Sequence, residues 1–371
     1  MKMEKNAEER AILARKLEAT LSGRARPIAD AIRRIEYTGS LLDDYYLPTA
    51  SLQFLRREVQ DDVALTFKPD TYYGENPEPF TLHDHAVGQI GDKLGVPPAY
   101  LKTLVRGKDW QKELSLLVMQ MSSDNTRRDK VLLRTVEGQV RGFLSDRYRR
   151  LDSMQIFIAF LQAARETGSV LVDAHSGETK GFLEVINPNI VEFDTPLNGR
   201  NYMAFGARIR NSDFGDGALE VYFFGLLVQC MNGLVGQSML REFHLGGRIP
   251  DDIRVSEETY RKDTEAKASL VGDVMRQIYL PETTSGLIER IQGASAKQVD
   301  LVKEVERLPK LGLTVTEANA VGKVLMENDP ANGLQGSPTL WKLVNGLTAV
   351  ARDAEPERKR ELELIASDML K

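Results

Sequence analysis

A short basic run around one tyrosine is the part of the sequence best suited to contacting another molecule. It comprises Arg147, Tyr148, Arg149 and Arg150. Arginine presents a planar fork of donors that matches phosphate oxygens, and a tyrosine ring can stack on a nucleobase. On an extended segment Arg147 and Arg149 project to one side and Tyr148 to the other. The run therefore predicts a nucleic-acid contact. The alternative is that Tyr148 packs inward while the arginines pair with acidic residues.

This run closes a wider basic segment in a chain that is acidic overall. Between Asp124 and Arg150 there are eight basic and four acidic residues, whereas the whole chain has a net charge of −5. Arg134 and Arg141 lie in this segment and join the candidate contact residues. Local charge sets the potential that a strand meets, so the net charge argues against a uniformly basic DNA coat but does not exclude a nucleic-acid groove.

A hairpin and a helix are predicted to position the basic run. Val131–Val136 and Gln139–Leu144 are two short apolar stretches, joined by Glu137 and Gly138. A two-residue connection that contains glycine predicts a β-hairpin, because the favoured turns need positive φ. A helix is predicted to follow over Ser153–Glu166.

Other residues that could do chemistry fit metal binding or catalysis poorly. His83 and His85 are two residues apart, so on a helix their rings point about 200° apart and cannot share one ion. Cys230 could act as a nucleophile with His244 as its base, but a lone cysteine in an apolar run is typical of a buried residue. No glycine pattern matches a nucleotide-binding loop. We therefore predict no catalytic residue, no metal and no cofactor.

The hydrophobic pattern divides the chain into three parts. Residues 1–36 are predicted to be a helical segment, residues 37–252 an α+β core domain with a central antiparallel sheet, and residues 253–371 an all-helical region. Helices are predicted between Phe80 and Met121, the first capped by Thr81. The strands predicted after the central helix are Ser169–Val172, Gly181–Ile186, Ile190–Phe193, Tyr202–Arg210 and Leu219–Leu227.

Two segments are predicted to be structural turns. The first runs from Asn211 to Gly215, and the second contains Asn232 and Gly233. Asparagine and glycine both tolerate positive φ, so Asn232 and Gly233 are predicted to supply a turn with that conformation.

The composition is that of an ordinary soluble protein, with 42% hydrophobic and 28% charged residues. No apolar run approaches the ~20 residues that span a bilayer. The single cysteine, Cys230, fits a reducing compartment. We therefore predict a cytoplasmic location and no membrane partner.

Several stretches resemble the family called DUF932, whose members are common on plasmids and phages. The stretch Arg141–Arg149, from the hairpin and the basic run, is similar to a signature of this family. The other stretches that resemble family motifs, in chain order, are 85–101, Asn211–Gly215, Cys230–Gly233 and Thr339–Thr348. Leu227 is a departure, because many members have an arginine at that position, and any role of that arginine is in doubt here.

The resemblance implies a protein of a mobile element, without a settled activity. The strand–strand–helix centre is loosely similar to the Rad52-like annealing fold, which is a fold-level analogy. Our first hypothesis is a non-enzymatic protein that binds single-stranded DNA, with a recombination or annealing role, in which Tyr202 or Phe205 could add to the stacking of bases. The second is an interaction or anti-defence factor that binds an acidic host protein. The third is an enzyme of unrecognised type. Each of the three hypotheses is compatible with a homo-oligomer.

Overall fold

Two sheets and a set of helices make up the structure, which is a computed structural model. It describes residues 11–19, 25–68, 78–125, 130–247, 255–329 and 332–371. The predicted α+β fold, with antiparallel sheets and a helical C-terminal region, is confirmed. None of the helices in the described ranges is long and apolar enough to cross a membrane.

The first sheet has six strands in the order β1-β5-β6-β4-β3-β2. Neighbouring strands are antiparallel except β4 and β6, which are parallel. The strands are β1 (Leu42–Pro48), β2 (Leu52–Arg57), β3 (Asp62–Phe67), β4 (Phe80–Leu82), β5 (Lys130–Val136) and β6 (Gln139–Ser145). Three helices pack on this sheet: α3 (Asp84–Leu94), α4 (Pro98–Val105) and α5 (Asp109–Asn125). Their buried residues, such as Ile90, Leu101 and Met119, form one apolar cluster with those of the strands.

The second sheet is an antiparallel meander of five strands in the order β11-β10-β9-β8-β7. They are β7 (Val170–Ser176), β8 (Gly181–Thr195), β9 (Gly199–Asn211), β10 (Leu219–Leu227) and β11 (Asn232–Glu242). Every residue of β10 is buried, which explains its nearly continuous apolar sequence. On one face, Leu13 and Leu17 of α1 (residues 11–19) pack against Tyr202 and Phe224. The next helix, α2 (Ala25–Ser40), packs against β7 and the helix that precedes that strand. Tyr202 and Phe205, offered as additional stacking residues, are both buried.

The C-terminal helices share one core with the second sheet. They are α7 (Glu257–Ile278), α8 (Pro281–Ala296), α9 (Leu301–Arg307), α10 (Val315–Glu327), α11 (Leu340–Arg352) and α12 (Pro356–Asp368). Phe205 and Phe223 of the sheet lie in the same apolar cluster as Met275, Leu287 and Leu347 of these helices. The predicted boundary at residue 252 lies outside the described residues, and the chain up to Glu242 and from Glu257 onward contributes to one core.

The local predictions around the basic run are confirmed. Strands β5 and β6 pair with Val136 opposite Gln139. Glu137 and Gly138 have φ of 51° and 70°, as a type I′ turn requires. Helix α6 (Ser153–Glu166) has the predicted bounds, and so does β10.

Two local predictions are wrong. Thr81 is not a helix cap, because it pairs within β4. His83 caps α3 instead, and its Nδ1 accepts a hydrogen bond from the backbone nitrogen of His85 at 3.1 Å. Strand β11 was not predicted, because glycines at 233 and 236 weaken its strand pattern. It forms because β10 offers a buried edge that must be paired.

Candidate functional site

The basic run lies at a junction between the two sheets, and Arg134 of β5 is at its centre. Its side chain is 1% exposed. The guanidinium donates to Asp44 Oδ1 at 2.8 Å, to Asp152 Oδ1 at 2.6 Å and to the Asp213 carbonyl at 2.9 Å. These partners belong to β1, to the start of α6 and to the loop between β9 and β10. Arg134 therefore joins three parts of the fold and does not face solvent.

Arg150 extends the same network. Its side chain, 8% exposed, donates to Asp44 at 2.7 Å and to Glu257 at 2.8 Å, and it lies 3.6 Å from the centre of the Tyr260 ring. Burial alone would raise the pKa of the Asp44 carboxyl. The two arginines outweigh burial and hold that pKa below its ordinary value. Arg134 and Arg150 are thus neutralised inside the protein, which contradicts their predicted role as phosphate contacts.

Tyr148 packs inward, so the prediction of an exposed stacking ring is wrong. The residue is 8% exposed, and its ring stacks on that of His244 with centroids 5.0 Å apart and planes 8° apart. Its hydroxyl donates to the Ser212 carbonyl at 3.1 Å. Burial raises the pKa of this hydroxyl far above its ordinary value. The inward alternative considered for Tyr148 is therefore the arrangement found.

His244 is held by the backbone and by the predicted turn. Its Nδ1 lies 3.1 Å from the Arg149 carbonyl and its Nε2 lies 2.9 Å from Asn211 Oδ1. Burial lowers the pKa of His244 to about 4, so the neutral ring donates to one of these two acceptors. Neither nitrogen contacts Cys230, whose thiol is buried and has its pKa raised to about 11 by burial. A Cys230–His244 pair is not formed.

The first predicted turn closes the junction. Asn211 donates to the Leu151 carbonyl at 2.6 Å and to the Ser153 hydroxyl at 3.1 Å. Gly215 has φ of 80°, and a Cβ atom there would lie 2.5 Å from Leu144 Cδ2. The positive φ favours glycine at 215, and a side chain there would also have to displace the end of Leu144.

The second predicted turn is built differently. The positive φ, 58°, belongs to Met231, whereas Asn232 and Gly233 already belong to β11. The prediction of positive φ at Asn232 and Gly233 is therefore wrong. A Cβ atom at Gly233 would lie 2.7 Å from a carboxylate oxygen of Glu363, so this glycine permits a close approach. Asn232 donates to the Asn345 carbonyl at 3.4 Å, which joins β11 to α11.

The remaining candidate arginines differ in how far their side chains are exposed and free to bind a ligand. Arg149 forms a bidentate ion pair with Asp263 and keeps 27% side-chain exposure. Arg141 is half-buried and donates to Gln139 at 3.3 Å. Arg147 is exposed, and its guanidinium forms no hydrogen bond or ion pair with the residues that the structure describes. Of the predicted contact residues, Arg147 is thus the one best placed to meet a ligand.

An exposed surface that the sequence analysis did not identify lies beside Arg147. The segment after β11 pairs with the basic run through a bridge between Tyr148 and Leu245, and Gly246 donates to the Arg147 carbonyl at 2.7 Å. Phe243 and Leu245 are 56% and 69% exposed. Between them, His244 points inward.

Arg241 completes this surface. Its side chain is 60% exposed, its guanidinium lies 5.0 Å from the centre of the Phe243 ring, and it pairs with Glu220 at 3.4 Å. We call Arg147, Arg241, Phe243 and Leu245 the basic–aromatic surface. The spacing of two between Arg241, Phe243 and Leu245 was the sequence signal for it, because alternate residues of an extended segment project to the same face.

A polar cleft of about 340 Å³ opens onto the junction. Arg134, Arg150, Asp44, Asp152 and Asp213 line it. This is a substrate-sized cleft with convergent polar groups, the feature that an enzyme would need. Its arginines form ion pairs with its carboxylates. We therefore interpret the cleft as part of an ion network that joins the two sheets. Among the described residues, no group of three or more histidine, cysteine or acidic side chains could hold a metal ion.

The pH dependence of stability should report on Asp213. Desolvation raises the pKa of its carboxyl to about 6, above its ordinary value of 3.8, despite the nearby Arg134. The folded protein therefore holds a proton that the unfolded chain releases, and this group makes the fold less stable as the pH rises from about 4 through 6. Asp213→Asn keeps an acceptor for the Ser153 amide and removes the titration. Its stability relative to the unchanged protein should rise by about 2 kcal/mol between pH 4.5 and 7.5 in urea unfolding. A pH-independent difference would contradict this assignment.

Comparison of the chain with known proteins finds no relative. No family model, no curated protein and no solved structure matches the chain. The evidence for function is therefore the geometry of the basic–aromatic surface and of the junction.

Proposed function

We propose that the protein binds single-stranded nucleic acid on the basic–aromatic surface. The observation that carries the proposal is the exposed Phe243 ring against Arg241, on the segment whose Gly246 is hydrogen-bonded to Arg147. Sequence-tolerant binding of a single strand combines aromatic faces for the bases with cations for the backbone. Phe243 takes the stacking role that the sequence analysis gave to Tyr148, and Arg147 keeps the phosphate role.

The buried network supports this proposal indirectly. Tyr148 and His244 stack inside the protein, and two backbone hydrogen bonds join their segments, from the Arg149 amide to the His244 carbonyl and from the Gly246 amide to the Arg147 carbonyl. Such pairing fixes the position of Arg147 relative to Phe243, and preorganised groups lose less entropy when they bind. The junction is thus a scaffold for the surface.

The biological context of this binding is inferred from the resemblance to the DUF932 family. We infer membership of the DUF932 family, because the stretches that resemble it meet in the fold. Gln89 of one stretch donates to the Phe214 carbonyl of another and accepts from the Phe143 amide of a third. A recombination or annealing role in a phage or plasmid is part of the same proposal.

A second candidate is an interaction factor that binds an acidic protein. Leu245 favours it, because an apolar side chain that is 69% exposed gains from burial in a protein interface. The arginines would then meet carboxylates of the partner.

A titration of labelled oligothymidylate at several salt concentrations tests the first candidate. Phe243→Ala should weaken binding by about 1–3 kcal/mol and leave the salt dependence nearly unchanged. Arg147→Ala should reduce the slope of log K against log salt by about 0.7, because one phosphate contact releases its counterion. Absence of salt-dependent binding by the unchanged protein would reject the nucleic-acid proposal and leave the acidic-partner candidate.

A further inference from the structure

A second cleft, of about 380 Å³, lies where the helices of the first sheet meet the turn between β7 and β8. Three of the four histidines in the chain line it: His83, His85 and His175. Lys102 of α4 and Lys180 of the turn line it as well. We call it the histidine cleft. These basic residues come from distant parts of the sequence and are brought together by the fold.

The carboxylates that line the histidine cleft are already paired. Glu178 lies 2.8 Å from His83 Nε2. The Nδ1 of His83 accepts from the His85 amide, so its Nε2 carries the proton and donates to Glu178. Lys180 pairs with Glu357 at 3.1 Å and with Asp216 at 3.5 Å. Each of these acids thus already has a hydrogen-bond or ion-pair partner.

Lys102 is the unpaired cation of the histidine cleft. It is half-buried, and within the described ranges its ammonium has no partner. Gly88 of α3 leaves the space for it, since a Cβ atom at 88 would lie 3.2 Å from Lys102 Nζ. Glycine inside a helix costs about 1 kcal/mol relative to alanine, so the space is gained at the expense of helix stability.

His175 is a second unpaired group. Its ring stacks on Phe182 with centroids 5.6 Å apart. Its two nitrogens have no hydrogen-bond partner among the residues that the structure describes. A polar group without a protein partner is free to hydrogen-bond to a ligand that takes the place of water.

We propose that the histidine cleft binds a phosphate group through Lys102 and His175. A phosphate carries several acceptor oxygens and negative charge, so it can accept from an ammonium and an imidazole at once. His85, whose Nε2 lies 3.0 Å from the Phe214 carbonyl, is held in place on the same wall. A free phosphate compound and a nucleic-acid backbone both present this group, and the chemistry of binding is the same for both. The inference does not depend on the basic–aromatic surface.

Titration with inorganic phosphate, followed by NMR of the histidine rings, tests this proposal. Four histidines give a resolvable spectrum, and His175→Gln assigns the signal of His175. The expected result is a saturable shift of His175, with no shift of the buried His244. Lys102→Ala should weaken the binding at least about tenfold, because it removes a charge-assisted hydrogen bond. Lys108→Ala is the matched control, since Lys108 is an exposed lysine just past the end of the same helix, outside the cleft.

A second titration, with oligothymidylate in place of inorganic phosphate, identifies the source of the phosphate. If the oligonucleotide shifts His175 and Lys102→Ala weakens its binding, the phosphate belongs to a nucleic acid. If inorganic phosphate alone shifts His175, the ligand is a free phosphate compound, and binding on the basic–aromatic surface is unaffected by Lys102→Ala. The absence of a saturable shift of His175, or an identical titration of Lys102→Ala, would overturn the proposal.

Discussion

Arg134→Ala is expected to lower the free energy of unfolding by about 3–5 kcal/mol. The substitution leaves Asp152 and the Asp213 carbonyl without the donor that they share, and Asp44 keeps only Arg150. A buried acceptor that loses its partner carries the full cost of its desolvation. Urea unfolding monitored by circular dichroism measures the loss.

Arg147→Ala is the control for this prediction. It removes an arginine from the same segment of chain, but Arg147 is exposed and its guanidinium has no described partner. Its effect on stability should lie within about 0.5 kcal/mol. Equal losses for the two variants would contradict the assignment of Arg134 to an internal network.

Tyr148→Ala is also expected to destabilise the fold by about 3–5 kcal/mol. It removes a buried ring from a stack with His244 and leaves a cavity next to Leu144. Tyr148→Phe should cost about 1 kcal/mol, because it removes only the hydrogen bond to the Ser212 carbonyl. Thermal and urea unfolding of both variants give these values. A Tyr148→Ala protein of unchanged stability would show that the ring is not a core residue.

The elements that were predicted correctly depend on local signals. The hairpin follows from Glu137 and Gly138, which accept the positive φ of its turn. Helix α6 follows from its apolar periodicity, and β10 from a continuous apolar run. In each case the information lies within about fifteen consecutive residues.

The orientation of Tyr148 could not be predicted in the same way. The residues that enclose it, Ser212 and His244, are far along the chain and approach only when both sheets are formed. The same is true of Asp44, which neutralises Arg134 and Arg150. A basic run therefore predicts charge, but its partners decide whether that charge faces solvent.

The second turn shows another limit. Asn232 and Gly233 have the composition of a positive-φ turn, yet Met231 adopts that conformation. Pairing of Asn232 with Leu227 across β10 and β11 fixes the register and moves the turn by one residue. Gly233 is then needed because Glu363 of α12 approaches it.

The central claim is that the base-stacking ring is Phe243. The most direct measurement compares the affinity of Phe243→Ala and Trp110→Ala for labelled oligothymidylate at one salt concentration. Trp110 is the matched control, since it is an aromatic residue that is 63% exposed on α5. We predict that Phe243→Ala weakens binding by at least about fivefold, while Trp110→Ala leaves the affinity of the unchanged protein. Equal affinities of the Phe243→Ala variant and the unchanged protein would contradict the claim.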